Sequence, residues 1–235
     1  MDSSADDYLH IDLAPSFGNL NSESVRVLDE NLKVVIAATM RALEKKREDV
    51  DSALTWEEVM SVMMQNVLIV PDDEIIHRAD KLIKPSKPNA FKNDGSHSSA
   101  IVKEVEEWFK RLINDLELLG STGIDISILG KIVALVGATV DGFRTLLYEN
   151  DYHEKALVDV AVLCFPDVDH PYFKVYRIKL TAWSASARYL FAQEDRSGIT
   201  GEFNARKFRP RTSVMDHLKQ ETISKIAKEA ENLFT

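Results

Sequence analysis

Two amphipathic helical patterns in the middle of the chain constrain its fold more than any other feature. Apolar side chains recur at helical spacing over residues 100–119 and again over residues 124–147. Between them, Gly-Ser-Thr-Gly at positions 120–123 is typical of a helix stop followed by a turn. The two segments therefore predict an antiparallel helical hairpin. Its apolar faces include Trp108, Phe109, Leu112, Ile132, Val136 and Val140.

After Lys155, the apolar residues no longer recur at helical spacing but follow the two-residue period of β-strands. Residues 156–165 predict a central strand, and residues 173–180 alternate between apolar and basic side chains. Further strands are expected at 188–192 and at 198–208, the last more polar and therefore at a sheet edge. Short connections require antiparallel pairing. The predicted fold class is α/β in the α+β sense, with a central, mostly antiparallel sheet flanked by helical hairpins.

The segment before the hairpin predicts shorter elements. An amphipathic stripe predicts a helix over residues 25–46. Thr55 followed by Glu58 is a capping-box pattern and predicts a helix start at Trp56. Residues 66–70 predict a buried strand, because they are apolar and rich in β-branched side chains. Residues 72–84, which are mostly polar, predict a helix or a loop.

The domain organisation that follows is one central domain with two terminal segments. Residues 1–24 form a polar N-terminal arm, and its alternation over positions 8–13 leaves a short strand and a loose segment as open alternatives. Residues 25–210 form a single α/β domain. Residues 211–235 predict an amphipathic helix packed on that domain. Basic residues around Pro210 predict an exposed, protease-sensitive linker before this helix.

The charge of the chain is uneven. Its net charge is −9, yet residues 170–235 contain 12 Lys and Arg against 7 Asp and Glu, so the remainder carries −14. The overall negative charge argues against nucleic acid as a partner. The basic C-terminal third leaves room for a local cationic surface.

No targeting segment or long apolar segment is apparent. The N-terminus has neither a basic region nor an apolar core, so we expect synthesis in the cytosol without a conventional secretory signal. Release by a non-classical route and action at a target membrane remain compatible with this. No apolar run approaches the roughly 20 residues that a membrane-spanning helix needs.

Catalytic and metal-binding motifs are also missing from the sequence. No nucleophile elbow, phosphate loop, dinucleotide fingerprint or zinc-protease motif is present, so we expect no enzyme activity. Asp167, Asp169 and His170 offer metal-ligand chemistry, but they stand in a Pro-bounded segment where such residues are ordinary turn formers, and no metal is expected. Cys164, the single cysteine, is interpreted as a small core residue, with acylation as the functional alternative.

Basic and aromatic side chains alternate through the predicted strands of the C-terminal third. Cations interleaved with interfacial aromatics suit an anionic lipid surface, whereas the alternative is a merely solvated sheet face. The candidates for lipid contact are Lys174, Arg177, Lys179, Tyr176, Trp183 and Arg188.

The order of these elements resembles the Cyt-type insecticidal cytolysins. The segments IVKEVEEWFKRLINDLELLG and ISILGKIVALVGATVDGFRTLL resemble that family's second helix pair. ALVDVAVLCFP, KVYRIKL, ARYLFAQED and EFNARKFRP resemble its C-terminal strands in order and length. The resemblance covers residues 100–210 and rests on pattern alone. This chain is more highly charged than the family and ends in an additional helix.

The resemblance implies a three-layer sandwich, binding to a lipid membrane, helix displacement, and insertion into the bilayer or its disruption, with homo-oligomers as an open possibility. It implies a toxin or virulence protein, with no catalysis and no cofactor apart from a covalent or bound fatty acyl chain. Two alternatives stay open: a fatty-acyl-carrying effector of the same fold, and an intracellular protein-interaction domain that binds through the C-terminal helix. An unrecognised hydrolase ranks last.

Overall fold

The fold is seen in a computed structural model, and it combines a five-stranded sheet with helices on both of its faces. The structure describes residues 9–14, 30–48, 55–85, 99–122, 124–134, 149–165, 172–189, 192–219, 221–223 and 225–226. The strands are β1 (Leu9–Leu13), β2 (Ile69–Pro85), β3 (Glu149–Phe165), β4 (Tyr172–Tyr189) and β5 (Ala192–Pro210). The helices are α1 (Glu30–Glu48), α2 (Trp56–Gln65), α3 (Ser99–Ile113), α4 (Leu116–Ser121), α5 (Ile126–Ala134) and α6 (Thr212–Met215).

The sheet order is β1-β3-β4-β5-β2. The pairs β3–β4, β4–β5 and β5–β2 are antiparallel, which confirms the antiparallel pairing expected of the C-terminal strands. β1 pairs with β3 in parallel, so the strand alternative for the N-terminal arm is the correct one. The coarse fold class, α+β, is thus the one that the sequence predicts.

Several expectations about strand positions are wrong. Residues 188–192 form no strand of their own, because Tyr189 at the end of β4 pairs with Ala192 at the start of β5. Of the buried strand expected at 66–70, only Ile69 and Val70 belong to β2, and Val70 is exposed.

β5 is not an edge strand, because it lies between β4 and β2. Residues 72–84 are neither helix nor loop; they belong to the 17-residue strand β2. β2 is an edge strand with polar residues on both sides: Arg78 and Asp80 form hydrogen bonds with α3, whereas His77 and Lys81 belong to the open side. β5 is polar because its open side faces solvent, so its alternate positions are polar.

α3 and α5 cover one side of the sheet, which we call the helix-covered face. On β4, this face presents Tyr176, Ile178, Leu180 and Ala182, all fully buried. They pack in one core cluster with the apolar stripe of α3 and with Leu129 and Val133 of α5. The two helices contact each other closely at Gly130, where a Cβ would lie only 3.1 Å from the Cα of Val102.

A second core lies on the opposite side of the sheet, near one end of the strands. Phe173 and Val175 of β4 are buried there with Phe208 of β5, beneath α1 and α2. The rings of Phe173 and Phe208 are stacked with their centroids 5.7 Å apart. Met215 of α6 and Ile223 belong to this core as well.

Several helix boundaries differ from those predicted. The helix expected over 100–119 is interrupted by Asn114, whose φ of 46° lies in the left-handed region, and Asp115 then caps α4. α5 is described as far as Ala134, and residues 135–148 lie outside the described residues. At the C-terminus, α6 has four residues, and positions 221–223 and 225–226 are helical.

The predicted linker around Pro210 is also wrong in part. Residues 207–210 belong to β5, where Val70 pairs with Arg209 and Lys174 with Lys207. The backbone N–H of Arg211 donates a hydrogen bond to the carbonyl of Leu68 at 2.7 Å. This segment is therefore held in the sheet on both sides.

Candidate lipid-facing surface

The alternation of β4 separates the predicted lipid-contact residues into two groups. Lys174 and Tyr176 point to the helix-covered face, whereas Arg177, Lys179 and Trp183 point to the other side. Tyr176 has 0% exposure beneath the helices, so it does not lie on the surface in this structure. The six candidates therefore do not form one surface.

Lys174 has a structural partner on the helix-covered side. Its Nζ donates to Asp115 Oδ2 at 2.7 Å, and the two side chains are only 20% and 15% exposed. Asp115 also accepts a hydrogen bond from the backbone N–H of Leu118, as the N-cap of α4. Lys174 therefore fastens the α3–α4 junction to the sheet and does not lie on an open surface.

The other side of β4 continues a basic surface across three strands, which we call the cationic face. Its basic side chains are Arg177 and Lys179 of β4, Arg196 and Arg206 of β5, and Lys81 of β2. Lys81, Lys179 and Arg196 are exposed, and the other two arginines are half-buried. Along the rows from Val175 to Ala185, these three strands add one carboxylate, Glu202. The cationic face is thus strongly positive in a chain of net charge −9.

Apolar side chains flank these cations. Trp183 is half-buried, and its ring lies across Gly198 on the neighbouring strand; a Cβ on that glycine would lie 3.1 Å from Trp183 Cζ2. On β2, Ile75 and Ile83 are 62% and 52% exposed and belong to the same side of the sheet. Cations beside an indole and exposed aliphatic groups match the composition of a lipid headgroup interface.

A hollow of about 610 Å³ lies in the cationic face. It is lined by Ala79, Asp80, Lys81, Lys179, Thr181, Thr200, Gly201 and Glu202. The carboxylate of Asp80 accepts a hydrogen bond from Trp108 on the opposite face. The register places Lys81, Thr200 and Thr181 side by side on three adjacent strands, with Lys179 opposite Glu202 in the next row. Across the described residues, neither lysine ammonium takes part in an ion pair.

Polar side chains beside the hollow are joined by hydrogen bonds. Asn204 Nδ2 donates to Glu202 Oε1 at 2.9 Å, and its Oδ1 lies 2.7 Å from His77 Nδ1. Asn204 is 3% exposed and therefore fixed in position. In the row beyond, Arg206 Nε is buried without a hydrogen-bond partner in the described part of the chain.

The helix layer on the opposite face is attached to the sheet by a few polar contacts. Arg78 of β2 donates to the carbonyl oxygens of Ile113 and Leu112, at the end of α3. Trp108 Nε1 donates to Asp80 Oδ2 at 3.0 Å. With the Lys174–Asp115 pair, these contacts join α3 and the start of α4 to β2 and β4.

The remaining predicted residues are placed as follows. Trp108, Phe109 and Leu112 are buried in the core, and Ile132 is half-buried against it. Val136 and Val140 lie outside the described residues, as do Asp167, Asp169 and His170. Cys164 of β3 pairs with Phe173 of β4, and Arg188 of β4 pairs with Glu149 of β3. The side chains of Cys164 and Arg188 lie outside the described part of the structure.

Sequence reasoning missed the contribution of β2 to the cationic face. Lys81 and His77 lie in the segment that was predicted as helix or loop. Period-two alternation is absent from this segment, because apolar and polar side chains stand on both sides of the strand. The isoleucines at positions 75, 76 and 83 are a strand signal that remains.

The described residues also bear on metal ligands and on membrane-spanning helices. Within the described ranges, no group of three or more His, Cys, Asp and Glu side chains is arranged to hold a metal ion. Among the described helices, none has both the length and the apolar character needed to cross a bilayer. Comparison with models of known families and with curated proteins finds no match to this chain.

Proposed function

We propose that this protein is a membrane-active, lipid-binding protein of the cytolysin type, which attaches to anionic bilayers and then inserts into or disrupts them. The observation that carries the proposal is the cationic face, where Lys81, Lys179 and Arg196 are exposed beside Trp183. Each such cation near an anionic bilayer contributes about 1 kcal/mol of binding free energy. Several together offer enough free energy for attachment without a membrane-spanning helix.

The helix layer supplies the second step of the proposed mechanism. α3 is amphipathic, with Trp108, Phe109 and Leu112 buried against the sheet and Lys103, Lys110 and Arg111 exposed on its other side. A helix of this kind lies stably in a bilayer interface once its apolar side is released. Release requires an equilibrium between the packed and detached states that the membrane can shift. The polar contacts made by Arg78, Asp80 and Lys174 oppose that release.

The arrangement of layers supports the resemblance to Cyt-type cytolysins. Helices on both faces of a largely antiparallel sheet are the architecture which that resemblance implies, and the proposal extends it to a Cyt-like three-layer sandwich. The proposed activity needs no catalysis and no cofactor. Synthesis in the cytosol, release by a non-classical route and assembly into homo-oligomers on the membrane are parts of the same proposal.

The proposal is tested by binding to vesicles and by dye leakage from them. Lys81→Glu combined with Lys179→Glu should weaken binding to phosphatidylglycerol-containing vesicles by about tenfold or more, since two cations become anions. High salt should weaken wild-type binding in the same direction. The matched control is Lys219→Glu with Lys225→Glu, which changes the net charge equally at exposed positions of the C-terminal segment. Equal loss in both variants, or no leakage by the wild type, would contradict the proposal.

A lipid carrier is a second candidate, and one observation favours it. A groove of about 560 Å³ lies between α1 and α2. Small or apolar residues line it together with four polar ones: Ala38, Ala42, Val62, Val67 and Leu68, and Lys45, Lys46, Gln65 and Asn66. Such a lining suits one acyl chain with its carboxylate beside a lysine. Native mass spectrometry of protein from its natural source tests this. A mass increment equal to a fatty acid or acyl group supports the carrier, and the bare sequence mass excludes it.

A further inference from the structure

The hollow over Thr181 and Thr200 has features of a discrete site that a uniformly charged surface lacks. Two lysines from different strands and two threonines from adjacent strands line it. We infer that the hollow binds a single phosphate group carried on a small polar alcohol. This inference rests on the proposed function, because it names the chemical group that the cationic face recognises on a membrane.

The strand register supports this geometry. Lys81 on β2 and Thr181 on β4 flank Thr200 on β5, so the outer two strands are about 10 Å apart. Lysine side chains are long enough to lean inward from both sides, over the threonines. A phosphate between them would accept hydrogen bonds from two ammonium groups and two hydroxyls, which is charge-assisted binding of the strong kind.

Glu202 limits which phosphates fit. Its carboxylate lies in the next row, opposite Lys179, and is held there by the amide of Asn204. A second phosphate on the ligand would meet this negative charge, whereas a hydroxyl or ammonium group would find an acceptor. The ligand class is therefore a phosphomonoester or phosphodiester of a small alcohol or amino alcohol. A lipid headgroup and a soluble glycerol phosphate share this chemistry.

The test removes the hydroxyl groups and leaves the charge unchanged. Thr181→Val combined with Thr200→Val keeps the β-branched shape of both side chains and alters no cation. Thr181→Ser with Thr200→Ser keeps the hydroxyls and serves as the rescue variant. Thr222→Val, at an exposed position in the C-terminal helical segment, is the matched control. Thermal melts of all variants check that each one folds.

Binding is measured with glycerol 3-phosphate in solution and with phosphatidylglycerol vesicles. The Thr181/Thr200 valine variant should bind both probes about tenfold more weakly than the wild type, while the serine variant and Thr222→Val bind normally. The inference would be overturned if the valine variant bound vesicles as tightly as the wild type while the Lys81/Lys179 glutamate variant lost binding. That result would leave the proposed function standing.

The reverse outcome is equally informative. If the wild type neither binds nor permeabilises vesicles, yet binds glycerol 3-phosphate in a manner sensitive to the valine substitutions, the proposed function fails. The phosphate site then stands, with a soluble ligand in place of a lipid. Failure of the wild type to bind either probe overturns both.

Discussion

The two sides of β4 differ in burial, although the residues that form them alternate along one strand. Tyr176, Ile178 and Leu180 are fully buried beneath α3 and α5, whereas Arg177 and Lys179 between them belong to the cationic face. One strand thus contributes both to the core that stabilises the fold and to the surface for which we propose a binding role. Since alternate residues point in opposite directions, stability and binding should respond to different substitutions along the same few residues.

The cationic side itself changes character along the strand. At one end, Phe173 and Val175 are buried under α1 and α2, and the next residues on that side are Arg177 and Lys179. The change coincides with the end of the helix cover. On this side of β4, apolar residues are found where helices cover the sheet, and cations are found where the sheet is open. The side is therefore apolar at one end and basic further along.

The largest expected effect comes from the buried side. Ile178→Ala should lower the free energy of unfolding by about 2–5 kcal/mol, because it removes buried methyl and methylene groups from a packed core. Lys179→Ala, the adjacent residue on the open side, should change it by less than about 0.5 kcal/mol. Urea melts at neutral pH measure both. Similar losses in the two variants would show that the faces are not separated as described.

A second pair of substitutions tests close packing on the two sides of β5. Gly201→Ala would place a Cβ 2.5 Å from Leu112 Cδ2 and 2.6 Å from Trp108 Cη2, both deep in the core. The expected cost is about 1–3 kcal/mol, since the surrounding side chains have little room to move. Gly198→Ala would place its Cβ 3.1 Å from Trp183 Cζ2 and 3.2 Å from the backbone oxygen of Leu82. Because these distances are longer than those at Gly201, its cost should be smaller.

These two glycine variants are compared by thermal melts and by the tryptophan spectrum. Gly201→Ala should alter the environment of buried Trp108, and Gly198→Ala that of Trp183. A stable Gly201→Ala protein with an unchanged spectrum would contradict the packing of α3 on β5.

The two lysines of β4 provide a third comparison. Lys174→Met should destabilise the protein by about 1.5 kcal/mol, because it removes a hydrogen-bonded ion pair to Asp115 that is largely shielded from water. It should leave vesicle attachment unchanged. Lys179→Met should do the reverse, weakening attachment at nearly constant stability. Melts and vesicle sedimentation of both variants decide this, and an equal loss of attachment would restore Lys174 as a lipid-contact residue.

Much of the fold could be predicted from local pattern. The helical stripe predicted α3, although not its interruption at Asn114, because no glycine or proline marks that position. Alternation predicted β3, β4 and β5 as strands. It failed for β2, because charged residues stand on both sides of this strand: Arg78 and Asp80 form hydrogen bonds with α3, and Lys81 is on the open side. The polarity of β5 was misattributed to an edge, since an open sheet face produces the same pattern.

The candidate surface could be predicted only in part. The sequence indicated that basic and aromatic residues are concentrated in the C-terminal third, which brought Arg177, Lys179 and Trp183 into consideration. Grouping them with Tyr176 ignored the alternation along one strand. The hollow also needs Lys81 and Thr200, which lie far apart in the chain and meet through strand register. Register is set by the packing of the whole sheet, so a single sequence does not reveal it.

The smallest expected effect concerns α2, which covers the end of the cationic side where the core begins. Its capping box is complete: Thr55 accepts from the N–H of Glu58, and the N–H of Thr55 donates to the Glu58 carboxylate at 2.8 Å. Thr55→Ala should therefore cost about 1 kcal/mol of stability. Thr55→Ser, which keeps the hydroxyl, should cost much less. If alanine and serine are equivalent in urea melts, the cap does not contribute.

Acid should weaken the same cap in a defined direction. The backbone hydrogen bond from Thr55, then that from its hydroxyl, and finally the nearby charge of Lys46 hold the pKa of Glu58 below its ordinary value. A carboxyl whose pKa is lowered by folding stabilises the protein above its unfolded pKa, and that contribution disappears as the pH falls through the lowered value. Wild type and Glu58→Gln should thus differ in melting temperature at neutral pH, and the difference should shrink as the solution becomes more acidic than the usual range of a glutamate. A difference that stays constant down to that pH would mean that the carboxylate charge plays no part in the cap, which would then consist of the Thr55 hydroxyl accepting from the N–H of Glu58.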